Sequence, residues 1–152
     1  MKIRKKDLFE LGYDNYGSIK RAYSAHPKTD PENGDIYNIG FVPPNLQLMK
    51  HTQEMKPIAS TTIKLRCMQG IHDFALAGDY IVIFEYPFDY GLMDMFKPAS
   101  HMFRTYDPEG TTLIHVLRKD DFKPVKTVEV EPFFAFHFAN GYSTKDLSLI
   151  HI

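Results

Sequence analysis

The sequence predicts an all-β fold assembled from short strands. Three observations support this prediction: runs of seven or eight residues rich in β-branched and aromatic side chains, turn motifs between those runs, and three histidines at near-regular intervals. Short strands joined by tight turns are typical of a sandwich, a barrel or a propeller. The histidine intervals favour a propeller, because each is about the length of one four-stranded blade.

The N-terminal third contains the one helix that the sequence predicts, a short one over residues 2–11. Residues 30–34, Asp-Pro-Glu-Asn-Gly, place proline early and glycine late, which is typical of a tight turn. Residues 60–66, Ser-Thr-Thr-Ile-Lys-Leu-Arg, are rich in β-branched side chains and predict a strand.

The centre of the chain predicts a β-hairpin. Residues 77–79, Ala-Gly-Asp, form a turn motif between the apolar residues 74–76 and the buried-strand pattern of residues 80–86. Residues 87–100 are rich in phenylalanine, methionine and proline and predict a long irregular connection. Such connections often carry function.

The C-terminal third predicts two further strands. Residues 107–110, Asp-Pro-Glu-Gly, form a second turn motif that leads into a strand over residues 111–118. Residues 125–131 alternate with period two, as a half-buried strand does. Residues 133–139 form a dense aromatic run.

The bulk properties indicate one soluble domain and exclude several function classes. The chain has 152 residues, a net charge of −1 and a pI of about 6.6, so it lacks the strongly basic character of a nucleic-acid binder. The single Cys67 excludes an internal disulfide and a multi-cysteine zinc site. The polar residues that follow the basic start do not favour a signal peptide, the sequence contains no run of about 20 apolar residues, and a peripheral membrane contact stays open.

Three histidines carry the functional argument: His26, His72 and His137. Their spacing is 72 − 26 = 46 and 137 − 72 = 65 residues. Equivalent positions on successive inner strands of a propeller converge at its axis, and converging imidazoles can bind iron, zinc, copper or nickel. The alternative is a non-catalytic β-propeller or sandwich module that acts in protein interactions and in which these histidines are structural.

The contexts of these histidines resemble those of the carotenoid cleavage oxygenases, the family that includes lignostilbene dioxygenases. Residues 25–34, Ala-His-Pro-Lys-Thr-Asp-Pro-Glu-Asn-Gly, are similar to its first metal-ligand segment, and residues 35–41 to the strand that follows. Residues 71–84 resemble the second ligand segment, and residues 112–118 the strand between the second and third. Residues 136–142, Phe-His-Phe-Ala-Asn-Gly-Tyr, resemble the third segment.

The resemblance implies a seven-bladed β-propeller with one non-haem Fe(II) per full-length subunit, bound by four histidines on the axis. It assigns His26, His72 and His137 as three of these metal ligands and no catalytic residue beyond them. His115 falls at a non-ligand strand position, and His51 and His101 match no ligand motif. The implied reaction is oxidative cleavage of one conjugated C=C bond of a carotenoid, apocarotenoid or stilbenoid by O₂, which gives two carbonyl products.

The resemblance also leaves some features unmatched. Phe138 and Ser143 stand where the family often has a histidine and an acidic residue. The fourth histidine of the family, and the glutamates that orient three of its four histidines, have no counterpart here. The sequence therefore predicts a partial propeller of two to three blades over residues 1–146, which binds iron weakly and has no turnover alone. Four phenylalanines are expected either in the core or along an apolar substrate tunnel: Phe84, Phe88, Phe96 and Phe134.

Residues 147–152, Leu-Ser-Leu-Ile-His-Ile, match the translation of a transposase end sequence used to prepare sequencing libraries. We therefore interpret this segment as a non-native read-through tail. The expected location is the cytoplasm, or a plastid if a transit peptide precedes the sequence. The expected partners are O₂ and a lipophilic polyene or stilbenoid, and no nucleic acid.

Overall fold

The computed structural model describes residues 2–12, 22–42, 44–144 and 148–151. Within them the chain forms twelve strands and two short 3₁₀ helices, Leu92–Phe96 and Ala99–Thr105, and no α-helix. All strand pairs are antiparallel. The all-β prediction is confirmed.

The first sheet follows the first histidine. Its strands, in spatial order, are β3 (Lys28–Thr29), β4 (Ile36–Val42), β5 (Asn45–His51) and β6 (Pro57–Lys64). On β4, Tyr37 and Ile39 are buried towards one face, as the period of two requires. Gly40 lies on the other face, where a Cβ atom would be 2.0 Å from the carbonyl oxygen of Ala22. Only glycine therefore allows the backbone at Ala22 to lie so close to β4.

The second sheet follows the second histidine and repeats this order. Its strands run from the inside outwards as β7 (Ala75–Ala77), β8 (Tyr80–Glu85), β9 (Thr112–Arg118) and β10 (Pro124–Val130). The predicted hairpin is confirmed, because Ala77 pairs with Tyr80 across a turn in which Gly78 adopts φ +58°.

A third sheet begins after the third histidine. Strand β11 (Asn140–Ser143) pairs with β12 (Ser148–His151) and packs against β7. A Cβ atom on Gly141 would be 2.4 Å from the Leu76 carbonyl oxygen, which shows how closely the two inner strands approach. The structure thus contains two complete four-stranded sheets and the start of another, and the prediction of two to three propeller blades is confirmed.

The main apolar core lies between the first and second sheets. Its buried members come from both sheets and from the segments around them: Tyr37, Ile39, Leu46, Leu48, Leu65, Ile71, Phe74, Ile81, Ile83, Leu117 and Phe122. A second cluster lies on the opposite face of β8, where Phe84 stacks on Phe138 with ring centroids 4.3 Å apart. The second sheet therefore has apolar contacts on both faces, which explains the near-continuous apolar sequence of β8.

The predicted helix over residues 2–11 is wrong. The segment forms a hairpin of β1 (Lys2–Ile3) and β2 (Glu10–Gly12), closed by a hydrogen bond of 2.8 Å from the Arg4 N–H to the Phe9 carbonyl. Leu8 adopts φ +58°, and the side chains of Leu8, Phe9 and Leu11 are mostly exposed, so the described side chains form no buried apolar face that would stabilise a short helix.

The connection after β8 is more regular than predicted, because it contains both 3₁₀ helices. The first lies within residues 87–100, and the second begins there and ends at Thr105. Asp94 organises the first helix: its carboxylate accepts a hydrogen bond of 2.9 Å from the Gly91 N–H, and its carbonyl accepts one of 3.0 Å from the Lys97 N–H. Both helices are too short to show a helical periodicity in the sequence, and the glycine and proline at their ends are typical of loops.

Glu85, at the end of β8, is a buried carboxylate that gives the fold a defined pH dependence. Burial raises the pKa of its carboxyl group, but hydrogen bonds from His115 and from the Arg66 N–H outweigh this effect, so the net pKa lies below the ordinary value. A lowered folded-state pKa contributes stability above the unfolded pKa of about 4.3, and this stability is lost as the pH falls through the folded-state value.

We therefore expect Glu85→Gln to reduce the free energy of unfolding by about 1–3 kcal/mol at pH 7. The reduction should shrink at about pH 3, which lies below the unfolded pKa of about 4.3, because the stability that the ionised carboxylate contributes decreases there. Urea unfolding of both proteins at the two pH values measures this difference. An equal reduction at both values would contradict a role for the ionised carboxylate.

Candidate metal centre

Each of the three predicted ligands lies just before the innermost strand of a different sheet. His26 precedes β3 by 28 − 26 = 2 residues, His72 precedes β7 by 75 − 72 = 3, and His137 precedes β11 by 140 − 137 = 3. The three inner strands line one common pocket, to which Lys28, Ala75 and Asn140 contribute. The histidines are therefore equivalent positions of successive blades, as the spacing predicts.

The three imidazoles converge. The Nε2 atoms of His26 and His72 are 2.8 Å apart. Ring centroids are 4.5 Å apart for His26 and His72, 4.6 Å for His26 and His137, and 5.1 Å for His72 and His137. One ring nitrogen of each histidine lies within 4.8 Å of those of the other two. The structure thus brings together all three residues that the sequence singles out.

This donor set fits a transition-metal ion. Two imidazole nitrogens bound at right angles, each about 2.0–2.1 Å from one ion, are about 2.9 Å apart, close to the separation of His26 and His72. Imidazole suits iron, zinc, copper and nickel, whereas calcium and magnesium prefer oxygen ligands. In the described part of the chain, this cluster contains three histidines and no thiolate or carboxylate.

The environment favours the neutral, metal-binding form of His26. Burial lowers the pKa of its imidazole, and the neighbouring His72, His137 and Lys28 lower it further, against the opposing effect of Asp73. A protonated imidazole has no free lone pair for a metal, so a lowered pKa favours binding near neutral pH.

Short polar contacts fix the backbone around His26. The Asn38 side chain donates to the Ser24 carbonyl at 2.8 Å, and the Ser24 N–H donates to the Ile39 carbonyl at 2.8 Å. The Ser24 hydroxyl donates to the His72 carbonyl at 2.8 Å and accepts from the His26 N–H at 3.2 Å. These contacts join the first ligand segment to the first sheet and to the second ligand segment.

A buried carboxylate that the sequence analysis did not identify lies directly beside the triad. Asp73 is 2% exposed and contacts Lys28, Phe74 and Phe138. Asp73 follows His72 directly in the sequence, but two of its partners, Lys28 and Phe138, lie far away along the chain, and no local pattern indicates them.

An aromatic group covers one side of the triad. The Phe136 ring is 5.9 Å from that of His72 and 4.7 Å from that of Phe134, and Phe103 lies 6.0 Å from Phe136. Of the four phenylalanines considered for a tunnel, Phe134 belongs to this group. Phe84 and Phe88 are buried in the second cluster, and Phe96 is largely exposed.

The other histidines with described side chains lie outside the triad. His115 hydrogen-bonds Glu85 at 2.8 Å and Thr127 at 3.2 Å, and His101 lies 3.1 Å from Asp94. His51 is buried in β5, edge-on to Tyr23 with ring centroids 6.1 Å apart. None of these residues joins the three converging imidazoles among the described residues.

Comparisons with known proteins agree in both sequence and fold. The family model described as RPE65, retinal pigment epithelial membrane protein, matches residues 1–152. Carotenoid 9,10(9',10')-cleavage dioxygenase 1 of Arabidopsis thaliana is 28% identical over 148 residues, which are 92% of this chain and 27% of that protein. The chloroplastic 9-cis-epoxycarotenoid dioxygenase NCED6 of the same plant is 27% identical over 140 residues, 89% of this chain and 24% of its own length.

Two solved structures show the same fold at lower identity. The lignostilbene dioxygenase of Pseudomonas brassicacearum superposes with a TM-score of 0.83 at 21% identity, over 97% of this chain and 32% of that one. Cobalt-substituted Synechocystis ACO superposes with a TM-score of 0.80 at 18% identity, over 97% and 34%. The chain thus spans about a quarter to a third of the length of these proteins. Within the described residues, no helix is long and apolar enough to cross a membrane.

Proposed function

Because this chain belongs to the RPE65 and carotenoid cleavage oxygenase family, we propose that it is part of a non-haem Fe(II) dioxygenase and supplies His26, His72 and His137 as ligands. The observation that carries the proposal is the convergence of these three imidazoles from equivalent positions of three successive sheets. Three core or surface histidines without a shared role have no reason to meet at one point.

The proposed substrate is a lipophilic compound with conjugated C=C bonds: a carotenoid, an apocarotenoid or a stilbenoid. Relatives named for carotenoid cleavage and a fold neighbour named for lignostilbene support this class. The ion, when bound, supplies the activation of O₂ for cleavage of one C=C bond to two carbonyl products. A plastid location is part of the proposal, since relatives such as the chloroplastic dioxygenase NCED6 are named for it, whereas a cytoplasmic location stays a prediction.

The protein's own residues act by binding, orientation and exclusion of water. The three imidazoles would hold the ion without cancelling its charge. Phe136 and Phe134 give the site an apolar side on which a polyene can lie, and this side keeps water away from the reacting bond. The described site needs no general acid or base, because no proton is transferred in the overall reaction.

Anaerobic titration of the chain with Fe(II) tests this proposal. We expect saturable binding of one ion per chain, with weak affinity because this chain supplies three of the four ligands that the family resemblance implies, and no turnover of a polyene. Dialysis with metal analysis gives the stoichiometry. Absence of saturable binding would contradict the metal site and favour a propeller module without catalytic function, and tight binding would contradict the expected weak affinity.

A further inference from the structure

Asp73 is placed to hold all three ligand segments together. We propose that this carboxylate is a positioning residue, which sets the distances between His26, His72 and His137 through three separate contacts, with Lys28 as its counter-charge. The inference rests on the proposed function, since it assigns a role towards the same metal ion.

Each of the three contacts of Asp73 involves a different ligand segment. The Nζ atom of Lys28, two residues after His26, is 2.8 Å from Oδ1 of Asp73. The Phe74 N–H, in the second segment, donates to the same oxygen at 2.8 Å. The Phe138 N–H, immediately after His137, donates to Oδ2 at 2.8 Å across 65 residues of sequence.

Burial makes these contacts obligatory. The Asp73 side chain is 1% exposed, whereas that of Lys28 is 25% exposed. A buried carboxylate is tolerated only when it is paired and hydrogen-bonded, so the backbone must stay where the Lys28 ammonium and the two N–H groups can reach it. An ion needs its ligands within about 0.5 Å of the binding geometry, and a carboxylate with fixed partners provides that precision.

The contact with Phe138 distinguishes Asp73 from the other nearby polar groups. Ser24 joins only the first and second ligand segments. The third segment is also held by a hydrogen bond of 2.8 Å from the Tyr86 hydroxyl to the Ala135 carbonyl, but that bond lies two residues before His137. Loss of Asp73 therefore releases the backbone directly after His137.

Asp30 provides a matched control. Its side chain is also 1% exposed, and it pairs with a lysine, Lys119, at 2.9 Å. It also accepts a hydrogen bond from a backbone N–H, that of Glu32, at 3.1 Å. Unlike Asp73, Asp30 has no hydrogen bond or ion pair to the second or third ligand segment within the described part of the chain. Asp30→Asn thus removes a comparable buried charge without loosening the triad.

The test measures Co(II) affinity, the Co(II) visible absorption spectrum and the free energy of unfolding for the wild-type chain, Asp73→Asn and Asp30→Asn. We expect Asp73→Asn to weaken Co(II) binding about 10–100-fold, the usual cost of losing a group that orients metal ligands. It should also alter the spectrum, because the arrangement of the imidazoles changes. Asp30→Asn should lower stability but leave affinity and spectrum unchanged.

The double variant Asp73→Asn with Lys28→Met removes the buried carboxylate together with its counter-charge, and it keeps the test informative if Asp73→Asn folds poorly. We expect it to fold yet to retain the weakened Co(II) binding. Recovery of wild-type affinity and spectrum in the double variant would show a purely structural role and overturn the inference, as would wild-type binding in Asp73→Asn. If the wild-type chain itself binds no Co(II), the proposed function fails instead.

Discussion

Binding of Co(II) is expected to weaken by more than about 100-fold when His72 is replaced by alanine. The loss of affinity should exceed the about 10–100-fold loss expected when a residue that only orients a metal ligand is removed, because the His72 ring itself supplies the donor atom. His72 is in close contact with a second member of the triad: its Nε2 is 2.8 Å from that of His26, and its ring is 5.1 Å from that of His137. Without it, only two of the three imidazoles would remain to hold the ion.

Equivalent losses are expected for His26→Ala and His137→Ala, because three ligands of one ion act as a unit. His115→Ala is the matched control, since His115 bonds Glu85 and Thr127 on the second sheet and is not part of the triad. Isothermal titration with Co(II), at a temperature where all variants retain wild-type circular dichroism, measures the affinities. Retained binding in any of the three triad variants would exclude that residue as a ligand.

The second large effect concerns the core directly behind the site. Phe74 is fully buried between the first and second sheets, one residue after Asp73. Replacing it with alanine should lower the free energy of unfolding by about 3–5 kcal/mol, because a large cavity remains where the ring was. That loss is a large part of the about 5–15 kcal/mol that stabilises a typical domain.

Phe96→Ala is the control for this substitution. The same ring is removed, but from a side chain that is 84% exposed, so the change should stay within about 0.5 kcal/mol. Urea denaturation followed by fluorescence of the nine tyrosines gives both values. Equal effects of the two substitutions would contradict the position of Phe74 in the core.

The sequence predicted those parts of the fold that depend on local chemistry. The hairpin at Gly78 and the strand β8 follow from a turn motif and an apolar run, and the structure confirms both. Strand β5 was not predicted, although Leu46 and Leu48 alternate with polar neighbours, because lysine and histidine obscure the end of its pattern. The N-terminal helix was wrong because its leucine and phenylalanine side chains have no core to pack against.

The candidate site also combines features that depend on local sequence with features that depend on distant contacts. The three histidines were identifiable from their immediate contexts, and the structure brings them together as expected. The role of Asp73 was not identifiable, because its contacts join residues separated by 73 − 28 = 45 and by 65 positions. Such long-range pairs depend on how the sheets dock, and one sequence contains no local pattern for them. The interpretation of residues 147–152 as a read-through tail stays a prediction.

The separation of the three histidines also has a consequence for folding kinetics. Each sheet consists mainly of neighbouring antiparallel strands, whereas the triad joins residues 46 and 65 positions apart. Contacts between distant residues require costly loop closure and are expected to form late, after the local hairpins. An ion that needs all three rings cannot nucleate folding, so bound metal should slow the unfolding rate and leave the folding rate almost unchanged.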